Sequence, residues 1–239
     1  MKSLWLAPLV LAYGTAVHAA PPEPRAAAAH VDHLILGARD LDEGMRRFEE
    51  RTGVLPKVGG EHPGRGTRNA LVSLGPGLYI EILAPQVNAP DTGVAAELRQ
   101  RTDLTPYGWA VFVPDVEAAR QRLGDAGLGL SEVSPGSRAR PDGTRLEWKT
   151  FEIEKPAIAG LPFFIRWGDG TTHPSQDSPG GCRLERLRAV TPDVDGLRRV
   201  FSAIALDVTA EKGAKAGLDL VLRCPKGTVE LRGDQGSRK

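Results

Sequence analysis

His33 and Glu81 are the two side chains of this sequence whose types and positions most suggest chemistry. His33 lies in VDHLILGARD at residues 31–40, and Glu81 lies in YIEIL at residues 79–83. Both segments are short and mostly apolar, as is typical of buried strands. Because side chains alternate between the two faces of a strand, the pattern predicts two groups that each share a face: Val31 with His33 and Ile35, and Tyr79 with Glu81 and Leu83.

If these two strands are neighbours in one sheet, the imidazole and the carboxylate meet in one pocket. A buried carboxylate is costly unless a cation or a proton donor lies beside it. An imidazole and a carboxylate together suit either a divalent metal ion or proton transfer. A lone histidine or glutamate in an apolar run is also a common structural group, and the two segments by themselves leave that alternative open.

A repeated pattern of helices and strands must position these side chains. Three amphipathic segments follow an aspartate that can cap a helix, at Asp40, Asp115 and Asp193. Gly53 and Gly127 can end the first two helices in a left-handed turn. One strand precedes each helix and three extended segments follow it, so the sequence predicts three βαβββ repeats. One sheet covered by one helix leaves a concave face open, which favours pairing between repeats.

The composition excludes several classes of function. The chain has 239 residues, with 31 lysines and arginines against 30 aspartates and glutamates. This balance gives no electrostatic reason to expect nucleic acid as a partner. The sequence contains no P-loop, no Rossmann fingerprint and no G-x-S-x-G motif, so we expect no nucleotide cofactor and no serine nucleophile. No apolar run is long enough to suggest a membrane span.

The N-terminal segment predicts a signal peptide. Lys2 precedes an apolar run, and Val17 and Ala19 are the small residues that a signal peptidase recognises before cleavage. We therefore expect residues 1–19 to direct export to the periplasm or the medium, and residues 20–29 to form a flexible linker. A misassigned start codon would instead leave the protein in the cytoplasm.

Cys182 and Cys224 are the two cysteines of the chain. In an oxidising compartment they can form a disulfide bond, whereas free thiols fit a reducing one. Their spacing matches no zinc motif, and the sequence leaves both thiol states open.

Several motifs in order resemble a known family. The segments are VDHLILGARDLDEGMRRFEERTG, GGEHPGRGTRNALVSLGPGLYIEILAPQ and LPFFIRWGDGTTHPS. They resemble the glyoxalase-like branch of the vicinal oxygen chelate superfamily, which includes glyoxalase I, extradiol dioxygenases and bleomycin-resistance proteins. The resemblance implies an α+β fold of three βαβββ modules, two of them paired into a glyoxalase-like cavity with curved mixed sheets and outer helices. It implies a glyoxalase-like domain at 30–180, with modules at 30–90 and 105–170, and a third module at 181–239.

The same resemblance implies a divalent metal, zinc, iron, manganese or nickel, held by the first and last strands of each module. His33 and Glu81 match the ligand positions of the first module. The second module offers Gly108 and the neighbourhood of Phe164 there, which supply no ligand, so the ligand set is incomplete. A third ligand could come from the loop histidines His62 or His173, although either can also be an ordinary loop residue.

Other residues are candidates for substrate binding. Arg166 could hold a substrate carboxylate, or form an ion pair with Glu81 that would abolish the metal site. Asn69 could hydrogen-bond a ligand or serve at a turn, and His173 is a further candidate for substrate binding. Tyr79 and Trp109 could line the pocket, although aromatic residues in strands more often belong to the core.

These expectations lead to two functions of different classes. The first is a metal-dependent lyase/isomerase or dioxygenase for a small oxygenated molecule, in which Glu81 or His62 moves a proton. The alternative is an exported, non-catalytic protein that binds a small molecule, as bleomycin-resistance proteins do. The sequence leaves homodimer formation open.

Overall fold

The computed structural model describes residues 28–62, 64–140 and 142–234. The predicted signal peptide at 1–19 and most of the linker at 20–29 lie outside the described residues. Within the described ranges, no helix has the length and apolar character needed to cross a membrane.

Each predicted repeat forms a strand, a helix and at least three further strands. The first comprises β1 (His30–Gly37), α1 (Leu41–Thr52), β2 (Lys57–His62), β3 (Thr67–Gly75) and β4 (Leu78–Pro85), and α2 (Gly93–Arg99) follows it. The second comprises β5 (Thr105–Phe112), α3 (Val116–Asp125), β6 (Gly129–Leu130), β7 (Ser134–Ala139), β8 (Arg145–Phe151), β9 (Ile153–Lys155) and β10 (Phe163–Trp167), and α4 (Pro174–Asp177) follows it. The third comprises β11 (Arg183–Thr191), α5 (Val194–Ala203), β12 (Thr209–Lys212), β13 (Gly217–Cys224) and β14 (Gly227–Asp234).

The first two repeats pair edge to edge in one eight-stranded sheet. Its strand order is β2-β3-β4-β1-β5-β10-β8-β7, with an antiparallel β1–β5 pair at the joint. The β1–β4 and β5–β10 pairs are parallel, so the sheet is mixed. The sheet curves until its two edge strands, β2 and β7, approach each other. One contact between them is a hydrogen bond from the Arg138 guanidinium on β7 to the carbonyl of Gly59 on β2. The expected α+β fold, with two paired modules and a curved mixed sheet, is confirmed, and the sheet is in addition nearly closed.

The third repeat forms a separate four-stranded sheet, β12-β11-β13-β14, that packs against the first two repeats. Its helix α5 reaches the eight-stranded sheet through Phe201, whose ring meets the indole of Trp109 edge to face at 5.7 Å. Strand β14 lies so close to β5 that a Cβ at Gly233 would come within 2.5 Å of the Pro106 carbonyl oxygen. One buried apolar cluster therefore joins all three repeats.

The three helices begin where the aspartates predict. Asp40, Asp115 and Asp193 each accept a hydrogen bond from the backbone N–H three residues later, at about 2.9–3.0 Å. This bond satisfies one of the donors that the first helical turn leaves unpaired. Gly53 ends α1 with φ 80°, a left-handed conformation that other residues adopt only with strain.

Cys182 and Cys224 form a disulfide bond across 42 residues of sequence, and both are buried. Replacing both by alanine is expected to lower the free energy of unfolding by about 2–4 kcal/mol, because the unfolded chain regains the entropy that the cross-link removes. Urea titration of the wild type and the variant measures the change. As a control, reductant should weaken the wild type and leave the double variant unaffected; equal midpoints for wild type with and without reductant would contradict the prediction.

Candidate functional site

His33 and Glu81 meet on the concave face of the eight-stranded sheet. Strands β1 and β4 are parallel neighbours, with His33 opposite Tyr79 and Ile35 opposite Glu81. His33 Nε2 lies 3.6 Å from Glu81 Oε2, and both side chains are buried. The alternation of side chains along two apolar strands is therefore sufficient to bring the imidazole and the carboxylate together.

Asp32 joins the same pocket, although strict alternation would turn it to the opposite face. The pairing of β1 with β5 shifts between Val31 and His33, which marks a β-bulge. The bulge lets Asp32 Oδ1 accept a hydrogen bond from His33 Nδ1 at 2.6 Å. It also turns Val31 towards the main core, so the expectation that Val31 shares the His33 face is wrong.

The carboxylate of Asp32 is fully buried and accepts two more hydrogen bonds. Trp167 Nε1 donates to Asp32 Oδ2 at 2.8 Å, and His173 Nε2 donates to the same oxygen at 3.2 Å. His173 Nδ1 accepts from the backbone N–H of Ser175, so the proton of this imidazole resides on Nε2. Burial raises the pKa of Asp32, but the hydrogen bonds from His173 and His33 outweigh it and hold the pKa well below its ordinary value.

Glu81 has two polar neighbours besides His33. Asn69 Nδ2 donates to Glu81 Oε1 at 2.6 Å, and His62 Nε2 lies 3.6 Å from that oxygen. His62 Nδ1 is 2.9 Å from Thr67 Oγ1, a contact that holds the ring in place. Burial raises the pKa of Glu81, but the neighbouring His62 and His33 and the hydrogen bond from Asn69 outweigh it and lower the pKa, so the carboxylate is ionised.

Aromatic rings surround the polar groups. The ring of Tyr79 stacks on His33 at 4.7 Å, and Phe163 meets His33 at 5.5 Å with its ring steeply inclined. Trp148 meets the ring of His62 edge on at 6.5 Å. Burial, together with the charges of Asp32 and Glu81, raises the pKa of Tyr79 well above its ordinary value, so this phenol is neutral. The walls of the pocket are thus apolar, and the few polar groups converge at its centre.

The structure brings five of the predicted site residues together: His33, Glu81, His62, Asn69 and Tyr79. A sixth, His173, contacts Asp32 and not Glu81, so the Asp32 carboxylate links it to His33.

Two predicted binding residues, Arg166 and Trp109, lie elsewhere. Arg166 alternates with Trp167 on β10, and its guanidinium is hydrogen-bonded to the carbonyls of Pro114 and Trp167 and to Asp169. It lines a surface groove of roughly 630 Å³ and forms its ion pair with Asp169, so the alternative of an Arg166–Glu81 ion pair is wrong, whereas the carboxylate clamp stays a prediction. Trp109 faces the main core and donates to the carbonyl of Gly160.

The arrangement of donors does not match the metal site that the family resemblance implies. Among the residues with described placement, no three His, Cys, Asp or Glu side chains form a group that could hold a metal ion. Asn69 Nδ2 lies 2.6 Å from Glu81 Oε1 and 3.3 Å from His62 Nε2, so an amide nitrogen occupies the space between those two donors. The face that the second module turns to the pocket offers Phe163 and Ile165, which cannot coordinate a metal.

Three polar groups of the pocket are not predicted from the sequence: the Asp32 carboxylate, the Trp167 indole N–H and the Arg138 guanidinium. The polar Asp32 in an apolar strand was a signal, but the bulge that redirects it depends on pairing with β5. Trp167 could not be assigned to the pocket from the sequence, because both faces of FFIRW carry apolar residues. Arg138 lies on a polar strand whose sequence, SPGSRA, gives no alternation to interpret.

The pocket predicts that the protein loses stability in mild acid. Burial lowers the pKa of His62 from its ordinary value of 6.5, although Glu81 opposes the shift. A depressed folded-state pKa gives stability that is fully present above pH 6.5 and is lost as the pH falls through the folded-state pKa, because the unfolded chain takes up the proton first. The lowered pKa values of Glu81 and Asp32 act with the same sign at lower pH.

Urea titrations between pH 7.5 and pH 5 measure this dependence, and the variant His62→Gln should show a flatter profile than the wild type over that range. A wild-type profile that rises on acidification, or a variant with the same slope, would contradict the assignment.

Comparisons with known proteins agree with this fold. A family model described as a glyoxalase-like domain matches residues 31–204. No curated protein matches the chain. A hypothetical protein from Staphylococcus aureus is similar in structure, with a TM-score of 0.60 at 15% identity over 87% of this chain and 86% of that one.

Two enzymes are more distantly similar in structure. Methylmalonyl-CoA epimerase from Mycobacterium tuberculosis gives a TM-score of 0.42 at 21% identity, over 57% of this chain and 85% of that one. A mutant of 4-hydroxymandelate synthase from Streptomyces coelicolor gives 0.45 at 16% identity, over 86% of this chain and 62% of that one.

Proposed function

The chain belongs to the glyoxalase-like domain family, and from this premise we propose that it is an enzyme of the lyase/isomerase type that transfers a proton to and from a small oxygenated molecule. The membership also confirms the resemblance to the vicinal oxygen chelate superfamily. One observation carries the proposal. His33 Nε2 and an ionised Glu81 carboxylate face each other across 3.6 Å, buried among the rings of Tyr79 and Phe163.

The neighbours of His33 and Glu81 prepare both for proton transfer. Because His33 Nδ1 is hydrogen-bonded to the Asp32 carboxylate, its Nε2 faces Glu81. The 3.6 Å between Nε2 and Glu81 Oε2 is too long for a hydrogen bond. A ligand group that lies between them would contact both the base and the imidazole.

The step that this geometry favours is removal of a proton from a carbon next to a carbonyl group. The Glu81 carboxylate takes the proton, the electron pair of the C–H bond forms a C=C bond, and the π pair of the carbonyl moves to its oxygen, which gives an enolate. Return of a proton to carbon completes an isomerisation or an exchange, and Asn69 keeps the carboxylate oriented through its hydrogen bond. The metal expected from the resemblance has no part in this proposal, because the Asn69 amide nitrogen lies between the Glu81 and His62 donors.

Hydrogen–deuterium exchange tests the proposal without knowledge of the natural substrate. Small α-hydroxycarbonyl compounds and 2-oxo acids, with hydroxyacetone and pyruvate first, are incubated with the protein in deuterated buffer, and the loss of their C–H signals is followed by proton NMR. We expect exchange well above the buffer rate for the wild type and a rate near the buffer rate for Glu81→Gln, which keeps the size of the side chain and loses the base.

Equal exchange rates for the wild type and Glu81→Gln would overturn the proposed chemistry. Saturable binding of a probe without exchange would support the alternative function, a non-catalytic protein that binds small molecules.

We also propose that the protein is exported. The N-terminal pattern at residues 1–19 and the Cys182–Cys224 disulfide bond both support this location, since structural disulfides persist in oxidising compartments. N-terminal sequencing of the protein from its native host should give a mature chain that starts at Ala20. A cytoplasmic protein that retains the first nineteen residues would contradict the proposal.

A further inference from the structure

Arg138 on β7 is a buried cation that forms no ion pair with a carboxylate of the described residues, although the charge of Glu81 acts on it. Its side chain is 3% exposed, and one of its terminal nitrogens donates to the carbonyl of Gly59. In the described part of the chain, no carboxylate lies within 4.0 Å of its guanidinium nitrogens, and none of those nitrogens is among the buried atoms that lack a hydrogen-bond partner. Burial lowers the pKa of Arg138, as expected for a charge removed from water.

Arg140, the neighbouring basic residue, has the acidic partner that Arg138 lacks within the described ranges. Arg140, two residues further along the chain, forms an ion pair with Asp177 at 2.5 Å and donates to the carbonyl of Thr172 at 2.7 Å. A buried guanidinium that lacks such partners is costly, and the cost falls when an anion binds beside it. Arg138 is therefore arranged to receive an anion from outside the chain.

A cavity of about 110 Å³ adjoins Arg138 at the seam between β2 and β7. Lys57, Arg138 and Arg140 contribute three cations to its walls, against the two acids Asp142 and Asp177. Asp177 is already held by Arg140, so positive charge remains available. The cavity has room for a compact group of a few heavy atoms, which suits a carboxylate.

This cavity lies close to the proposed chemistry. Leu71 lines it, and Leu71 is the cross-strand partner of Glu81 in the β3–β4 pair. Both side chains belong to the concave face, since Leu71 packs in the same cluster as Tyr79. An anion held at Arg138 would therefore lie one strand away from the Glu81 carboxylate.

We infer that Arg138 anchors a carboxylate group of the substrate, so that the enzyme acts on small carboxylic acids with a carbonyl or hydroxyl group near the acid. This inference rests on the proposed function for the identity of the reacting end. The fork of the guanidinium matches the two oxygens of a carboxylate. The carboxylate occupies the basic cavity, and the oxygenated carbon of the same molecule reaches Glu81 and His33.

Equilibrium binding of pyruvate and of its uncharged methyl ester, measured by calorimetry at constant ionic strength, tests the anchor. The wild type should bind pyruvate at least about tenfold more tightly than methyl pyruvate, which is a typical gain for a hydrogen-bonded charge pair. Arg138→Gln should bind the two probes equally. Arg138→Lys keeps the positive charge but lacks the two parallel N–H donors of the guanidinium, so it should retain only part of the preference for pyruvate over methyl pyruvate.

Arg198→Gln is the matched control, because Arg198 lies exposed on α5 of the third repeat, where it pairs with Asp195, and its loss should leave the preference unchanged. Thermal unfolding establishes that each variant is folded. If Arg138→Gln does not fold, the wild-type preference and its reduction in Arg138→Lys decide the question. Equal binding of both probes by the wild type, or a full preference in either Arg138 variant, would overturn the anchor.

The two proposals fail in different ways. Tight binding of pyruvate without exchange of its methyl protons would retain the anchor and refute the chemistry. Exchange of neutral carbonyl compounds, with no preference for the charged probe, would retain the chemistry and refute the anchor.

Discussion

Replacing Asp32 by alanine is expected to lower the free energy of unfolding by about 3–5 kcal/mol, the range for removing one partner of a buried charged network. The Asp32 carboxylate accepts hydrogen bonds from His33, Trp167 and His173, and the substitution leaves all three donors buried without an acceptor. The change also removes side-chain volume from a site with no exposed surface. Urea titration at pH 7.5, with the wild type in parallel, measures the loss.

Two further variants separate charge from packing. Asp32→Asn preserves the shape of the side chain but turns one amide N–H group towards a donor. Its free energy of unfolding should therefore fall by less than that of Asp32→Ala. Asp169→Ala removes an almost fully exposed aspartate that contacts Arg166, and it should change stability little. Equal losses for Asp32→Ala and Asp169→Ala would contradict the role of Asp32 as the centre of the network.

The repeat architecture could be predicted because its signals are local. A capping aspartate, an apolar stripe and a closing glycine lie within one helix, so no knowledge of distant contacts is needed. The meeting of His33 with Glu81 also followed, since β1 and β4 each present an apolar pattern and the family resemblance made them neighbours. These predictions used the periodicity of single elements, the order of the repeats and, for the pairing of β1 with β4, the family resemblance.

The remaining features of the pocket depend on pairing between distant strands. The β-bulge that brings Asp32 beside His33 arises where β1 meets β5, far along the chain. Arg138 approaches Glu81 only because the sheet curves until β7 reaches β2. Arg166 was assigned to the pocket because the apolar residues around it occur on both faces of β10, and a shift of one residue reverses every side chain.

Substituting His33 by alanine is expected to reduce the hydrogen–deuterium exchange rate about 10²–10⁴-fold, the range for loss of a general acid–base group. His33 is held on one side by Asp32 and packed between the rings of Tyr79 and Phe163, so its Nε2 is fixed towards Glu81. Alanine removes the proton-transfer group and leaves a ring-shaped cavity between two aromatic side chains. The NMR exchange assay with a compound that the wild type turns over measures the loss.

Chemical rescue distinguishes a chemical role of His33 from a structural one. Added imidazole should enter the cavity of His33→Ala and restore part of the rate, with a dependence on pH that follows the ionisation of imidazole. The same imidazole should not rescue Glu81→Gln, which lacks the carboxylate base and has no ring-shaped cavity. If His33→Ala exchanges as fast as the wild type, or if imidazole rescues both variants equally, proton transfer does not depend on the His33–Glu81 pair.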